Sequence, residues 1–246
     1  MSKILIITGG NKGIGSGIVL EYKQNGYTII SIARSRNESS LYNDVVQVQL
    51  NLSETNAIEN VFSEILRSID SSNLETIVLI NNAGTLGMIN RLERIEAPVI
   101  ELAIQLNIVA PFILNSIFLR ETKNWNCTKK IVNISSGAAI KPYYGWSVYC
   151  ATKAAIDMMT KAIAIEQDTI EKGVKVIAIY PGVVDTAMQE QIRNSDSQKF
   201  IDVQRFIDFK ESGSLVSTEI VGKEIFQIIN SDNFPNGAIL NISDYR

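Results

Sequence analysis

The 246-residue sequence contains no histidine and only two cysteines, Cys127 and Cys150. Histidine is the side chain whose ordinary pKa lies closest to neutrality, so any acid-base chemistry in this chain has to use other groups. The two cysteines are far apart and follow neither a metal-ligand nor a redox spacing. They suit two reduced thiols in the cytoplasm, and we expect no bound metal.

The sequence also lacks an excess of positive charge and a long apolar run. A formal net charge of -3 gives no electrostatic reason to expect nucleic acid or an anionic membrane as a partner. No stretch reaches the roughly 18 apolar residues that span a bilayer. The N-terminus "MSKILIITGG" has neither the apolar length nor the cleavage site of a signal peptide. We therefore expect a cytoplasmic protein that binds neither nucleic acid nor membrane.

What the sequence does contain is a regular alternation of short apolar runs with longer segments of helical period. Runs this rich in Ile and Val suit strands that are buried on both faces. The pattern predicts an α/β fold with a doubly wound, mostly parallel seven-stranded sheet and helices on both faces, in a single domain over residues 1–246. The predicted strands cover residues 3–8, 27–33, 45–50, 75–82, 129–135, 174–180 and 238–243.

Three further segments stand out between the predicted strands. Residues 53–70 have helical apolar spacing, and we predict Ser53 as the N-cap. A helix predicted from about Ser147 to Lys172 is apolar on more than one side, so it could cover a partner helix as well as the core. Residues 185–217 are too long for an ordinary connection, and we interpret them as a substrate lid.

A glycine-rich turn, "TGGNKGIG" at residues 8–15, follows the first strand and opens a helix. Glycine lets the backbone approach a pyrophosphate closely, and a helix N-terminus offers free N–H groups and partial positive charge. The spacing of Gly9, Gly13 and Gly15 differs from the common G-x-G-x-x-G pattern. We interpret the turn as the phosphate cradle of a dinucleotide.

The end of the second strand indicates which dinucleotide binds. An acidic residue there would bond the ribose 2'-OH of NAD, whereas arginine accommodates the 2'-phosphate of NADP. Ala33 takes that position, Arg34 follows it, and Lys12 stands just before Gly13. We predict NADP (NADPH) as cofactor; the alternative is that both cations are solvated surface charges.

The segment "PYYGWSVYCATKAA", residues 142–155, places Tyr149 and Lys153 four apart, on one helix face. A nearby ammonium stabilises phenolate, so we expect Lys153 to lower the pKa of Tyr149. Just upstream, "NISSG" supplies Ser135 and Ser136, either of which could donate to a carbonyl oxygen. Strand alternation sends the two hydroxyls to opposite sides, so only one can serve.

Several motifs occur in a fixed order: the glycine turn, "NNAG" (81–84), "LNIVAP" with Asn107, "ISS", "YCATK" and "YPGVVDT" (180–186). In this order the chain resembles the short-chain dehydrogenase/reductase family over nearly its whole length. The resemblance implies a Rossmann fold and a carbonyl reductase with hydride supplied by NADPH. It selects Ser136 to stabilise the oxygen and Tyr149 to protonate it, and it completes the catalytic set with Lys153 and Asn107, which would hold a relay water.

The resemblance also implies the cofactor-binding residues. Asn51 would lie near the adenine, Lys153 would hold the nicotinamide ribose, and Thr186 would bond the carboxamide. The complete implied set is Thr8, Gly9, Lys12, Gly13, Ile14, Gly15, Arg34, Asn51, Leu52, Asn82, Ala83, Gly84, Asn107, Tyr149, Lys153, Pro181, Gly182, Val184 and Thr186.

Three stretches, at 141–155, 181–193 and 209–215, are similar to the sepiapterin reductase and benzil reductase branch of the family. This branch reduces 1,2-dicarbonyls, such as benzil to benzoin, or pterin side-chain ketones. Its pterin enzymes anchor the ring with an aspartate near the C-terminus, where this chain has Asn241, with Asp244 out of register. The diketone is therefore favoured, with substrate residues Ser136, Tyr143, Trp146, Tyr149 and Met188.

Two other functions are consistent with the same motifs. A 3-oxoacyl thioester reductase of fatty-acid synthesis has similar length and the same catalytic set. A catalytically silent NADP-sensing protein is the alternative outside enzymes, although such a protein usually lacks the tyrosine or the lysine. From the family we expect a homodimer or homotetramer that acts on a small-molecule carbonyl substrate.

Overall fold

The computed structural model describes residues 1–231 and 233–245, which contain a seven-stranded sheet of order β3-β2-β1-β4-β5-β6-β7. Each predicted strand is present, and every pairing between the described strands is parallel. The strands are β1 (Ser2–Thr8), β2 (Thr28–Ala33), β3 (Val46–Gln49), β4 (Leu74–Asn81), β5 (Thr128–Ile134), β6 (Lys175–Tyr180) and β7 (Ile239–Asn241).

Helices cover both faces of the sheet, which confirms the predicted doubly wound α/β fold. One face packs against α1 and α8, whose buried residues include Val19 and Ile225. The other face packs against α2, α4 and α5, which contribute Phe62, Phe118 and Ile156. The helices are α1 (Gly13–Gln24), α2 (Ile58–Arg67), α3 (Ala97–Ile104), α4 (Ala110–Glu121), α5 (Ser147–Asp168), α6 (Ala187–Arg193), α7 (Val203–Glu211) and α8 (Thr218–Ser231).

The order of the strands reverses between β1 and β4, because the chain winds first to β3 and then returns past β1 to the other half of the sheet. In a parallel sheet the carboxyl ends of neighbouring strands meet at one edge, and the crevice at such a reversal is where ligands bind. The fold therefore places the residues after β1, β4, β5 and β6 around one crevice.

Two glycines bring α1 and α8 into backbone contact. A Cβ atom on Gly17 would lie 1.9 Å from the carbonyl oxygen of Thr218, and one on Gly222 would lie 2.3 Å from the carbonyl oxygen of Gly17. No larger residue fits at either position without moving one helix. The helix that starts at the predicted phosphate cradle is thus locked to the helix that follows the lid.

The helices α3 and α4 are joined through a π-helical turn, Gln105–Val109, into one continuous helix. The helix Ala97–Glu121 is long and apolar enough to cross a membrane, although its sequence contains no unbroken apolar run of that length. In this fold Leu114 and Phe118 lie in the core beneath the sheet. A core helix of this kind passes the same test of length and composition.

Two predicted helix ends differ from the structure. Ser53 is not an N-cap, because α2 starts at Ile58 after a 3-10 turn and the Ser53 hydroxyl donates to Asn51 Oδ1 at 2.8 Å. Helix α5 ends at Asp168 rather than Lys172, because the backbone N–H groups of Thr169 and Ile170 bond the carbonyls three residues back instead of four.

The predicted lid, residues 185–217, contains α6 and α7. Its two ends meet at a parallel β-bridge between Val184 and Val216. Lys210 also reaches back to Asp185, with 2.6 Å between Nζ and Oδ2. The segment therefore leaves and rejoins the body of the protein at one place.

Candidate active site

The glycine-rich turn has the geometry that a bound pyrophosphate needs. Gly9 and Gly13 have φ angles of 65° and 57°, in the region that favours glycine. A Cβ atom on Gly15 would lie 2.2 Å from the carbonyl oxygen of Gly9, so only glycine allows this tight turn. Lys12 is the N-cap residue of α1, and no described side chain caps this end of the helix. The first N–H groups of α1 are therefore free to bond a phosphate. Half-buried Ile14 packs against the core on the α1 face of the sheet.

The segment after β4 is fastened to this turn by side-chain hydrogen bonds. Thr8 Oγ1 accepts from the backbone N–H groups of Asn82 and Ala83, both at 3.0 Å. Asn82 Nδ2 donates to the carbonyl oxygens of Thr8 and Gly9, also at 3.0 Å. The predicted residues Thr8, Gly9, Asn82 and Ala83 therefore form one connected unit at the crevice.

Two exposed cations, Lys12 and Arg34, lie near the end of β2 and the start of α1. Neither has an ion-pair partner among the described residues, so the Lys12 ammonium and the Arg34 guanidinium are both available to an anion. On the opposite side of the turn, a Cβ atom on Gly13 would lie 3.5 Å from Thr186 Cγ2. The structure thus brings Thr186 to the cradle, as the predicted cofactor set requires.

The remaining predicted cofactor residues line the same edge of the sheet with local partners of their own. Asn51 Oδ1 accepts from Ser53, and its Nδ2 donates to Glu54 Oε1 at 2.8 Å. Leu52, Pro181 and Val184 are buried, and Gly182 has a φ of 75°. Their contact with a dinucleotide stays a prediction.

Tyr149 and Lys153 lie together on α5, and both side chains are buried. Lys153 Nζ is 5.7 Å from the centre of the Tyr149 ring and donates to the carbonyl oxygen of Ile134 at 2.8 Å. The Ser136 hydroxyl lies near enough to the phenol to favour its ionised form. The structure therefore assembles the predicted group Ser136, Tyr149 and Lys153.

Burial dominates the ionisation of this group. It raises the pKa of Tyr149 to about 12, and the nearby Ser136 hydroxyl opposes the rise. Burial also lowers the pKa of Lys153 to about 8, while the charge of Asp157 opposes that shift. The expectation of a lowered pKa for Tyr149 is therefore wrong for the protein by itself, because desolvation of the phenolate outweighs its neighbours.

Asn107 lies in the π-helical turn and is buried. Its Oδ1 accepts from the backbone of Thr85 at 2.8 Å, and its Nδ2 donates to the Thr85 carbonyl and to Thr152 Oγ1. A Cβ atom on Gly84 would lie 3.3 Å from Asn107 Oδ1 and 3.9 Å from Lys153 Nζ. Asn107 thus stands behind Lys153 as predicted, but both side-chain donors are used. In this arrangement the side-chain N–H groups of Asn107 cannot also donate to the predicted relay water.

An aromatic cluster joins Tyr149 to the predicted lid, residues 185–217. Trp146 stacks on Phe200 with 4.7 Å between ring centres, and its ring meets Tyr149 edge-on at 5.8 Å. Phe206 packs 5.6 Å from Trp146, and Tyr143 lies at 4.8 Å. Half-buried Met188 packs against the same cluster. The predicted substrate residues are therefore neighbours, and the indole N–H of Trp146 is buried without a hydrogen-bond partner in the described residues.

The C-terminal candidates Asn241 and Asp244 lie at the end of β7 and in the turn that follows it. Asn241 Oδ1 accepts from the backbone N–H of Ser243 at 3.2 Å, and Asp244 accepts from the Ser243 hydroxyl at 3.4 Å. Both side chains bond within their own turn.

Sequence reasoning missed Asp157, which lies one helical turn after Lys153. The Ser135 hydroxyl donates to Asp157 Oδ1 at 2.6 Å, and the Tyr180 hydroxyl donates to Oδ2. Ser135 therefore bonds Asp157, whereas Ser136 lies beside Tyr149, in agreement with the prediction that the two hydroxyls point to opposite sides. A signal was present: Tyr149, Lys153 and Asp157 share a four-residue spacing, and Ser135 and Tyr180 lie at the carboxyl ends of two predicted strands.

Comparison with known proteins agrees with this arrangement. A family model described as short chain dehydrogenase matches residues 3–197. The benzil reductase ((S)-benzoin forming) of Bacillus cereus is 39% identical over 98% of this chain and 100% of its own. The sepiapterin reductase of Bos taurus is 26% identical over 98% of this chain and 94% of its own.

Among solved structures, ElxO with NADP bound superposes with a TM-score of 0.79 at 28% identity, covering 98% of this chain and 97% of that one. The glycine cradle, the buried tyrosine and lysine, and these matches lead to one conclusion. The chain belongs to the short-chain dehydrogenase family, whose members are oxidoreductases that act on carbonyl or alcohol groups with a nicotinamide cofactor.

Proposed function

We propose that the protein is an NADPH-dependent reductase of 1,2-dicarbonyl compounds such as benzil, and that it forms benzoin-type hydroxyketones in the cytoplasm. The observation that carries this proposal is the aromatic cluster of Trp146, Tyr143 and Phe206 packed against the buried Tyr149. Aromatic walls with few polar groups suit an aromatic diketone. The similarity to a benzil reductase over the whole chain supports the same substrate class.

The residues present fit a dinucleotide phosphate on the uncapped N-terminus of α1. Gly9, Gly13 and Gly15 would let the backbone approach the pyrophosphate, and Arg34 with Lys12 would pair with a 2'-phosphate. Thr186 would hold the carboxamide end. When bound, NADPH supplies the hydride that reduces the carbonyl carbon.

The chain's own contribution is to hold and move a proton. A phenol whose pKa burial raises to about 12 keeps its proton at neutral pH, which is the form that a general acid needs in a reduction. Tyr149 Oη would donate this proton to the carbonyl oxygen as negative charge develops on it. The Ser136 hydroxyl would donate a hydrogen bond to the same oxygen.

Lys153 would complete the site electrostatically. Its ammonium, 5.7 Å from the centre of the Tyr149 ring, would stabilise the phenolate that remains after proton transfer. Because Nζ also donates to the carbonyl oxygen of Ile134, the ammonium is fixed against β5 before substrate binds. The group is therefore held in place ahead of the reaction.

Reduction of a pterin side-chain ketone is the second candidate, because the chain is also similar to a sepiapterin reductase. Asn241 stands where the pterin enzymes carry an aspartate, and its neutral amide lacks the charge of the carboxylate that would anchor a pterin ring. This observation ranks the diketone first.

The test is NADPH consumption with benzil, sepiapterin and an acetoacetyl thioester in parallel, with Tyr149→Phe as the control. We expect benzil to have the highest kcat/KM and Tyr149→Phe to lower its turnover by about 10²-fold or more. Preference for sepiapterin or the thioester would reassign the substrate. No turnover of any of the three would favour an NADP-sensing protein.

A further inference from the structure

Asp157 is a buried carboxylate for which the proposed mechanism has no role. It lies on α5 one turn beyond Lys153 and is 7% exposed. Burying a carboxylate is costly unless it is hydrogen-bonded and near an opposite charge. The Ser135 hydroxyl donates to one of its oxygens and the Tyr180 hydroxyl to the other. Each oxygen of the buried carboxylate therefore has a hydrogen-bond donor from within the protein.

The hydrogen bonds of Asp157 join three elements at the position of Lys153. Ser135 follows β5 and also lies 3.4 Å from the carbonyl oxygen of Lys153. Tyr180 is the last residue of β6. Lys153 itself bonds Ile134, the last residue of β5. The ends of both strands are thus fastened to the turn of α5 that carries the lysine.

We propose that Asp157, held by Ser135 and Tyr180, is the positioning residue and buried counter-charge of Lys153. The inference rests on the proposed role of Lys153 in holding the charge of Tyr149. An ammonium buried among apolar groups tends to lose its proton, and a carboxylate one helical turn away opposes that loss. Asp157 therefore keeps Lys153 charged without contacting the substrate.

The other charged groups on the elements packed around this turn of α5 either lie at the opposite ends of their strands or are exposed. None of them takes the place of Asp157 as a buried negative charge beside Lys153. The strands carry lysines at the opposite ends of β5 and β6, α3 carries an exposed glutamate, and α5 itself carries an exposed lysine one turn further on. The π-helical turn and the 3-10 turn after β5 carry no charge. The strand lysines are Lys129 and Lys130 near the start of β5 and Lys175 at the start of β6. The glutamate of α3 is Glu101, and the lysine of α5 is Lys161. The other titratable groups around this turn are Tyr149 and Tyr180.

The experiment is a 13C NMR titration of the full chain with its lysines labelled at Cε. The Lys153 resonance is assigned by its loss in Lys153→Arg. In the wild-type protein we expect a midpoint of about 8. In Asp157→Asn, which keeps the shape but not the charge, we expect the midpoint to fall by about one pH unit or more.

Asp168→Asn is the matched control, because Asp168 is an exposed aspartate near the end of the same helix. We expect it to leave the midpoint unchanged. Asp157→Ser is a second neutral variant, and thermal melting checks that each variant is folded. An unchanged midpoint in a folded neutral variant would refute the inference, as would failure of both neutral variants to fold, which would make the role of Asp157 structural.

The pH profile of kcat connects this inference to the reaction. Its upper limb, where Lys153 loses its proton, is expected to move down with the NMR midpoint in Asp157→Asn. A purely structural residue would lower kcat equally at every pH. A shifted midpoint in a protein that reduces no carbonyl would support the role of Asp157 and refute the proposed function.

Discussion

The phenol of Tyr149 is the group on which the proposed proton transfer depends. Tyr149→Phe removes the proton donor and leaves the ring packed against Trp146. Because general acid catalysis contributes about 10²- to 10⁴-fold, we expect kcat to fall by that factor while NADPH affinity is retained. Steady-state kinetics and NADPH fluorescence measure the two quantities.

Tyr144→Phe is the matched control for this substitution, since Tyr144 is an exposed tyrosine close by in the sequence. It should leave kcat within the error of the wild type. Equal losses in both variants would mean that the phenol of Tyr149 has no special role.

Cofactor choice is expected to depend on the exposed cations at the end of β2. Arg34→Ala removes a guanidinium that is free to pair with a 2'-phosphate. Hydrogen bonds to charged groups contribute about 1.5–3 kcal/mol, so kcat/KM with NADPH should fall about 10- to 100-fold. The value with NADH should stay the same.

Arg67→Ala is the control for Arg34→Ala, because Arg67 is an exposed arginine on α2 that pairs with Glu121. It should change neither value of kcat/KM. If Arg34→Ala lowers the values with NADPH and NADH equally, Arg34 does not select the cofactor.

At the residue scale, the sequence predicted which residues lie together at the candidate site but not their ionisation. The spacing of Tyr149 and Lys153 predicted that they share a helix face, and the structure places them together. The pKa of Tyr149 depends on how far the phenol is desolvated by Trp146 and the lid, which no local spacing encodes. Asp157 escaped notice because a helical aspartate is ordinarily solvated, and its partners come from strands distant in sequence.

The lid is expected to be held closed by its aromatic contacts with α5. Phe200 is fully buried and stacks on Trp146. Phe200→Ala leaves a cavity whose cost is about 3–5 kcal/mol, so the melting temperature should fall. KM for the carbonyl substrate should also rise, because the lid loses its anchor beside Tyr149.

Phe62→Ala is a matched control for the lid, since Phe62 is equally buried but lies beneath the sheet in α2. It should lower the melting temperature without raising KM. A rise of KM in both variants would mean that general destabilisation, rather than the lid, controls substrate binding.

At the element scale, strands were easier to predict than helix ends. All seven apolar runs predicted as strands are present, because the central strands are buried on both faces and need apolar residues along the whole run. The start of α2 was misplaced because the Ser53 hydroxyl bonds Asn51 instead of capping a helix. The π-helical turn at Asn107 has no sequence signal of its own, since it depends on the tertiary contacts with Thr85 and Thr152.

At the scale of the whole molecule, the outer face of α5 carries a stripe of exposed apolar residues that is interrupted by Lys161. Ala151, Ala154 and Met158 are exposed at helical spacing, and Ile165 is 71% exposed two turns after Met158. The exposed Phe112 of α4 lies on the same side of the sheet, because both helices pack into the same core. We expect a second copy of the chain to cover this surface.

Ile165→Glu places a charge in that surface and is expected to shift the protein toward monomers. Light scattering coupled to size-exclusion chromatography measures the mass of each species. Ile220→Glu is the control, because Ile220 is 52% exposed on α8, on the other side of the sheet. A wild-type protein that is already monomeric would contradict the expected interface.

The bridge between Val184 and Val216 makes the lid a candidate for exchange in protein engineering. Because the body of the protein holds the two ends together, a replacement of different length adds little closure entropy. Ser136, Tyr149 and Lys153 all lie outside the exchanged segment. A library of lids grafted between these two valines, with Thr186 retained, is therefore expected to vary substrate range while Ser136, Tyr149 and Lys153 stay constant.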